Sequence, residues 1–160
     1  MTVLFFVRHG AHALQDRVLV GRTDVPLSEA GREQAAWLGE RLRREQVHMV
    51  QASPRQRTRE TADRIAIALG LPVETVSALD EVDVGEWTGR AFAELKADPG
   101  WELWNGRRAM ARPPNGETML EVQVRVTGHV QRVCALHPDN MLNGAADAES
   151  QVQLGGNRLA

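Results

Sequence analysis

Arg8-His9-Gly10 places a guanidinium, an imidazole and an unhindered backbone turn next to one another. Arginine offers a rigid fork of donors suited to an oxyanion, and histidine offers a nitrogen nucleophile. The same residues also have a plain structural use, with Arg8 capping a strand and His9 paired to a backbone carbonyl. Further along, Ser53-Pro54-Arg55-Gln56-Arg57 opens a helix, and helix N-termini attract anions through free amides and the macrodipole. Arg57 falls in that first turn, where a basic residue does little for helix stability and therefore points to a use. Arg55 and Arg59 lie at other angles and are expected to be solvated. Leu79 to Gly89 carries Asp80, Glu81, Asp83 and Glu86 without a histidine cluster at ligand spacing, so a metal site is not indicated. One such carboxylate beside a bound anion can give and take a proton. Arg22, in the polar Gly21-Arg22-Thr23-Asp24 run, can reach an anionic ligand or simply be solvated. His12 and His129 are expected to be surface residues.

These groups need elements to carry them. Met1 to Val7 is apolar, rich in β-branched and aromatic residues and without a helical period, which predicts a buried strand delivering Arg8 and His9 to its carboxyl end. Ala11 to Pro26 reads as loop. Ser28 is a good N-cap for a helix reaching about Arg44, with Ala35, Leu38 and Leu42 at helical spacing and Ala36 and Trp37 widening the stripe. Val47 to Val50 predicts a second strand. Ser53 as N-cap with Pro54 at the first position predicts a helix that ends at Gly70. Val73 to Val76 predicts a third strand, and strand–helix–strand order implies parallel pairing. Ala91 to Lys96 reads as a short helix, Asp98-Pro99-Gly100 as a turn, and Trp101 and Trp104 as core. Arg107, Arg108 and Arg112 read as surface. Glu117 to Leu136 is broadly helical, and His137-Pro138-Asp139 ends it.

Composition narrows the class. The chain has 160 residues, 42% hydrophobic and 25% charged, which fits one folded domain. A formal net charge of -2 gives no bulk attraction to nucleic acid or an acidic membrane. The single cysteine, Cys134, excludes an internal disulfide and fits a reducing compartment, so a cytoplasmic location is expected. The N-terminal apolar run is too short for a membrane span.

Three sets of residues together resemble the histidine phosphatase superfamily, the phosphoglycerate-mutase-like group. They are Arg8-His9-Gly10; Ser53-Pro54 with Arg57, Thr61 and Ala62; and Leu79 with Glu81, Gly85, Trp87 and Gly89. Gly21-Arg22 through Ala35 is similar to the linking segment of that family, and Pro113 to Thr118 to its glycine-glutamate turn. Arg55 stands where the family usually has leucine. The resemblance implies an α/β fold, a three-layer α/β/α sandwich around a mostly parallel sheet. It implies catalysis by His9, Glu81, Arg8 and Arg57, with Arg8, Arg57 and Arg22 holding the substrate. His9 would become a phosphohistidine and Glu81 would be the proton donor. No cofactor or metal is implied, since the arginines offset the charge. The expected partner is a small phosphorylated metabolite, not nucleic acid or a membrane.

The resemblance stops near residue 139. The family continues with a strand ending in a second histidine-glycine pair, and residues 140–160 hold no histidine and no β-branched run. The expectation is a histidine phosphatase-like domain over 1–139, altered or truncated and lacking a central C-terminal strand, then an atypical, disordered tail over 140–160. The first strand would lose ladder partners, leaving the chain less stable, dimeric through that edge, or aggregation-prone. Three readings stay open: a phosphomonoester hydrolase acting through His9, impaired by the absent histidine; a non-catalytic phosphate-ligand binder or inactive remnant; and a phosphoglycerate mutase-type phosphotransferase.

Overall fold

The structure is a computed structural model, and it describes residues 2–137. The chain forms α1 (Glu29–Leu42), β1 (Val50–Ala52), α2 (Gln56–Leu69), β2 (Val73–Thr75), α3 (Phe92–Leu95), α4 (Pro99–Gly106) and α5 (Met119–Leu136). Two single 3-10 turns, Ser77–Leu79 and Gly85–Trp87, lie between β2 and α3. β1 and β2 pair in parallel, Val50 opposite Val73 and Ala52 opposite Thr75, with α2 as the crossover. The fold is α/β.

Local chemistry explains most boundaries. Ser28 caps α1 by accepting from the Gly31 amide. Gly70 ends α2 in the left-handed conformation, φ 68°, as a residue without Cβ does most cheaply. Thr118 and Glu121 form a reciprocal capping box at the start of α5. α1 packs on α2, and Gly39 permits the approach: a Cβ there would stand 3.0 Å from the Ala68 Cβ. Val84, Trp87, Leu95 and Trp104 form a second buried cluster, edged by Phe92 and Trp101. Trp87 meets both Trp101 and Trp104 edge to face and donates Nε1–H to Asp98 at 3.2 Å.

Several expectations are corrected. Residues 2–7 are not a strand. They make no backbone–backbone hydrogen bond with any other described residue, and Val3, Leu4, Phe5, Phe6 and Val7 are exposed, Phe6 to 71%. A strand exists only through its ladder, and apolar composition alone does not supply one. α2 begins at Gln56, not after Ser53, because the cap comes from a distant loop: the Asp24 carboxylate accepts from the Gln56 amide at 2.8 Å. The Ser53 hydroxyl meets Thr58 Oγ1 instead. Asp98-Pro99-Gly100 is the start of α4, with Asp98 as N-cap and Pro99 in the first turn. Trp37 lies on the exposed face of α1. The expected tail over 140–160, and the strand expected to be absent there, lie outside the described residues. Among the described residues no helix is long and apolar enough to cross a membrane.

Candidate active site

The site is assembled where the end of the N-terminal segment meets the start of α2. The Gly10 amide donates to Thr61 Oγ1 at 3.1 Å, and that hydroxyl donates to the Arg57 carbonyl at 2.7 Å. Gly10 and Gly31 approach so closely that a Cβ on either would strike backbone atoms of the other strand of chain. Ser28 ties the same segment down, its amide and hydroxyl both donating to the Ala11 carbonyl. His9 is therefore held next to the first turns of α2, although the backbone of residues 2–7 before it pairs with no described residue.

His9 Nδ1 lies 2.9 Å from the Gly10 carbonyl oxygen. A carbonyl only accepts, so Nδ1 carries the proton and Nε2 keeps its lone pair. Burial holds the His9 pKa below its ordinary value; the Gly10 carbonyl opposes this, the Arg57 and Arg8 charges reinforce it, and Glu81 opposes it. The net result is a neutral imidazole surrounded by positive charge.

Arg57 is 2% exposed. Its Nη1 donates to Thr23 O at 3.0 Å, and its Nη2 to Gly21 O at 2.9 Å and to Glu81 Oε2 at 3.3 Å. Its buried Nε has no partner among the described residues. Glu81 Oε1 accepts from the Val82 amide at 3.0 Å, so both carboxylate oxygens are oriented. Arg8 is exposed and makes no hydrogen bond or ion pair with a described residue. His9, Arg8, Arg57 and Glu81 are thus brought together. The arrangement offers a nucleophilic nitrogen, two guanidinia for an oxyanion and a carboxyl group within reach of the same ligand.

Arg22 is placed differently from the other candidates. All three of its nitrogens are engaged: Nε on Glu81 O at 3.0 Å, Nη1 on Asp83 at 3.1 Å and Nη2 on Glu117 at 2.8 Å. Arg55 is not solvated, since it donates to Arg22 O and its Nε stands 2.9 Å from Asp80 Oδ1. His12 is buried at 9% exposure, with its ring centroid 5.3 Å from that of His9 and its Nδ1 without a partner among the described residues. Burial, then the charges of His9, Arg57 and Arg8, lower its pKa, with Asp16 opposing. His129 shares a contact with Gln51 Oε1 at 2.8 Å and joins α5 to β1. Arg112 is occupied by Glu121, and Arg108 lies over the Trp104 ring. Among the described residues, no three His, Cys, Asp or Glu side chains are grouped as a metal would require.

Glu117 and Arg125 escaped the sequence reading. Glu117 Oε2 accepts from Arg22, Arg125 and the Asp83 amide. Burial pushes the Glu117 carboxyl up, but the Asp83 amide, Arg125 and Arg22 outweigh it and its pKa lies below the ordinary value. The only local signal was the glycine-glutamate turn before α5. Glu117 and Arg125 pair across eight residues, but their bonds to Arg22, Asp83, Ala78 and Glu81 span tens of residues.

Residues 4–143 match the family model described as histidine phosphatase superfamily (branch 1). A Salmonella arizonae protein named "Probable phosphoglycerate mutase GpmB" is 35% identical over 130 residues, 79% of this chain and 60% of its own length. The chain thus spans about 60% of the length of the curated relatives it matches. A mycobacterial glucosyl-3-phosphoglycerate phosphatase superposes with a TM-score of 0.76 at 31% identity, covering 82% of this chain and 63% of that one. An α-ribazole phosphatase from Shigella flexneri gives 0.74 at 27% identity, covering 82% and 67%.

Proposed function

The chain belongs to the histidine phosphatase superfamily, and on that premise we propose that it is a phosphomonoester hydrolase acting through a phosphohistidine at His9. The observation that carries this is the His9 Nδ1 contact with the Gly10 carbonyl, which leaves Nε2 free on an imidazole kept neutral beside two arginines. Nε2 attacks phosphorus, the N–P bond forms and the ester P–O bond breaks. Glu81 gives its proton to the leaving oxygen. Water then attacks the phosphohistidine, Glu81 takes a proton from it, and breaking of the N–P bond returns neutral His9 and inorganic phosphate. Arg8 and Arg57 hold the equatorial oxygens through both steps. Arg22 serves the substrate through the loop that carries Glu81, to which it is bound. The substrate class is a small phosphorylated metabolite, in keeping with the phosphatases among its structural neighbours. The cytoplasm is the compartment proposed.

The named phosphoglycerate mutase relative favours a second reading, transfer of the same phosphoryl group to a sugar-acid hydroxyl in place of water.

We also propose that the 160-residue chain turns over slowly. No histidine follows His137 in it, so the second histidine that the family carries on its later strand has no counterpart there. One missing donor of this kind costs about 100- to 1,000-fold in rate. The test is to place a strand followed by His-Gly after Asp139 and to compare turnover of an aryl phosphate. A gain of about 100-fold or more is expected. A parent chain already as fast as its longer relatives refutes the proposal.

A further inference from the structure

Two guanidinia converge on one backbone oxygen, the carbonyl of Glu81. Arg22 Nε donates to it at 3.0 Å and Arg125 Nη2 at 3.1 Å. Two like charges at one acceptor repel, and a shared anion must hold them there. Glu117 is that anion: its Oε2 takes Arg22 Nη2 at 2.8 Å and Arg125 Nη2 at 3.1 Å, and its Oε1 takes Arg125 Nε at 3.3 Å. Glu117 is itself fixed to the loop, since its amide donates to Asp83 O at 2.7 Å and its Oε2 accepts from the Asp83 amide at 3.0 Å. Arg125 Nη1 adds a bond to Ala78 O at 2.9 Å, so one α5 side chain holds the loop at two points.

We infer that Glu117 and Arg125 are positioning residues for Glu81. The inference rests on the general-acid reading of Glu81 given above. The Glu81 side chain reaches Arg57 with one oxygen and the Val82 amide with the other, and its backbone is held at the carbonyl by these two guanidinia. Removing Arg125 leaves one anchor. Removing the Glu117 charge sets Arg22 and Arg125 against each other. Either change lets the carboxyl move relative to Arg57, and a misplacement of about 1 Å at a catalytic group costs on the order of 100-fold. A merely structural weld of α5 to the loop would not single out proton donation.

The experiment compares single-turnover rates, enzyme in excess, on an alkyl phosphate that needs a proton donor and a dinitrophenyl phosphate that does not. The variants are Glu81→Gln, Arg125→Ala, Glu117→Gln and, as a surface control from the same region, Arg112→Ala. Arg125→Ala is expected to lose about 100-fold on the alkyl ester and under about threefold on the activated one, the pattern of Glu81→Gln. Arg112→Ala should leave both rates as they are. Amide hydrogen exchange at Val82, whose N–H is bonded by the Glu81 carboxylate, should quicken in Arg125→Ala and not in Arg112→Ala. If Arg125→Ala does not fold, Glu117→Gln gives the same readings with the side-chain shape kept. Equal losses on both esters in the Arg125 and Glu117 variants, with Glu81→Gln still selective, overturn the inference. If Glu81→Gln is unselective, the general-acid reading fails, and the exchange rate at Val82 alone decides the positioning: unchanged, it is overturned.

Discussion

Arg57 and Arg8 should separate cleanly when each is replaced by alanine. Arg57 is buried and donates to two loop carbonyls, the buried Gly21 O at 2.9 Å and Thr23 O, on an exposed residue, at 3.0 Å. Truncation leaves the buried Gly21 acceptor unpaired at about 1–3 kcal/mol, while water can reach the Thr23 carbonyl, so Arg57→Ala should lose about 1–3 kcal/mol of stability. Its ion pair with Glu81, whose side chain is 42% exposed, adds little to that sum. Arg8 is exposed and without a partner among the described residues, so Arg8→Ala should change stability by under about 0.5 kcal/mol. Both variants should nonetheless lose affinity for inorganic phosphate or vanadate by about 2 kcal/mol or more, roughly 30-fold, because in the proposed function both guanidinia hold the anion. Urea unfolding followed by tryptophan fluorescence measures the first quantity, since Trp87 and Trp104 are buried. Calorimetric titration measures the second. An unchanged urea midpoint in Arg57→Ala would refute the buried-donor argument. A large stability loss in Arg8→Ala would contradict its placement. Unchanged anion affinity in both would remove the site.

The pH dependence has a defined sign. His9 and His12 both have pKa values held below the ordinary histidine value of 6.5 in the folded chain. Below 6.5 the unfolded chain therefore binds more protons, and stability should fall as pH drops through that window. Thermal midpoints between pH 7.5 and 5 should show the fall, and His12→Gln should flatten it; a fall of the same size in the variant would count against the His12 contribution. Neutral His9 should persist below 6.5, so the acid limb of its phosphorylation rate should lie below that value and move upward in Arg8→Ala, which removes one of the charges that lowers it. Asp24→Ala should cost about 1 kcal/mol by removing the cap of α2, measured by thermal unfolding; no loss would return the cap to Ser53.

What could be read in the sequence was local. Ser28, Gly70 and the apolar period of α1, α2 and α5 act within a few residues, and those helices were legible. The candidate residues Arg8, His9, Arg57 and Glu81 were singled out from local patterns, and the structure brings them to one place. Misreadings came where the deciding partner is distant. Whether Val3 to Val7 is a strand depends on a neighbour elsewhere in the chain, not on its apolar side chains. Asp24 caps α2 from a loop more than thirty residues earlier, which no helix-start pattern at Ser53 contains. Asp98-Pro99 suits both a turn and a helix start, and the packing of Trp101 and Trp104 on Trp87 accompanies the helix. Arg22 was read as a substrate-holding or solvated residue, Arg55 as solvated, and Arg125 was not singled out, because their deciding carboxylate and carbonyl partners were not legible from the local sequence.

The most direct measurement is to trap the phosphoryl group. The chain is mixed with a reactive phosphomonoester, quenched in alkali, and the phosphorus is located by mass spectrometry and by its lability in acid. Acid-labile, alkali-stable phosphate on His9, absent from His9→Ala, is the result expected. Equal labelling of both proteins, or labelling at another residue, would contradict the account.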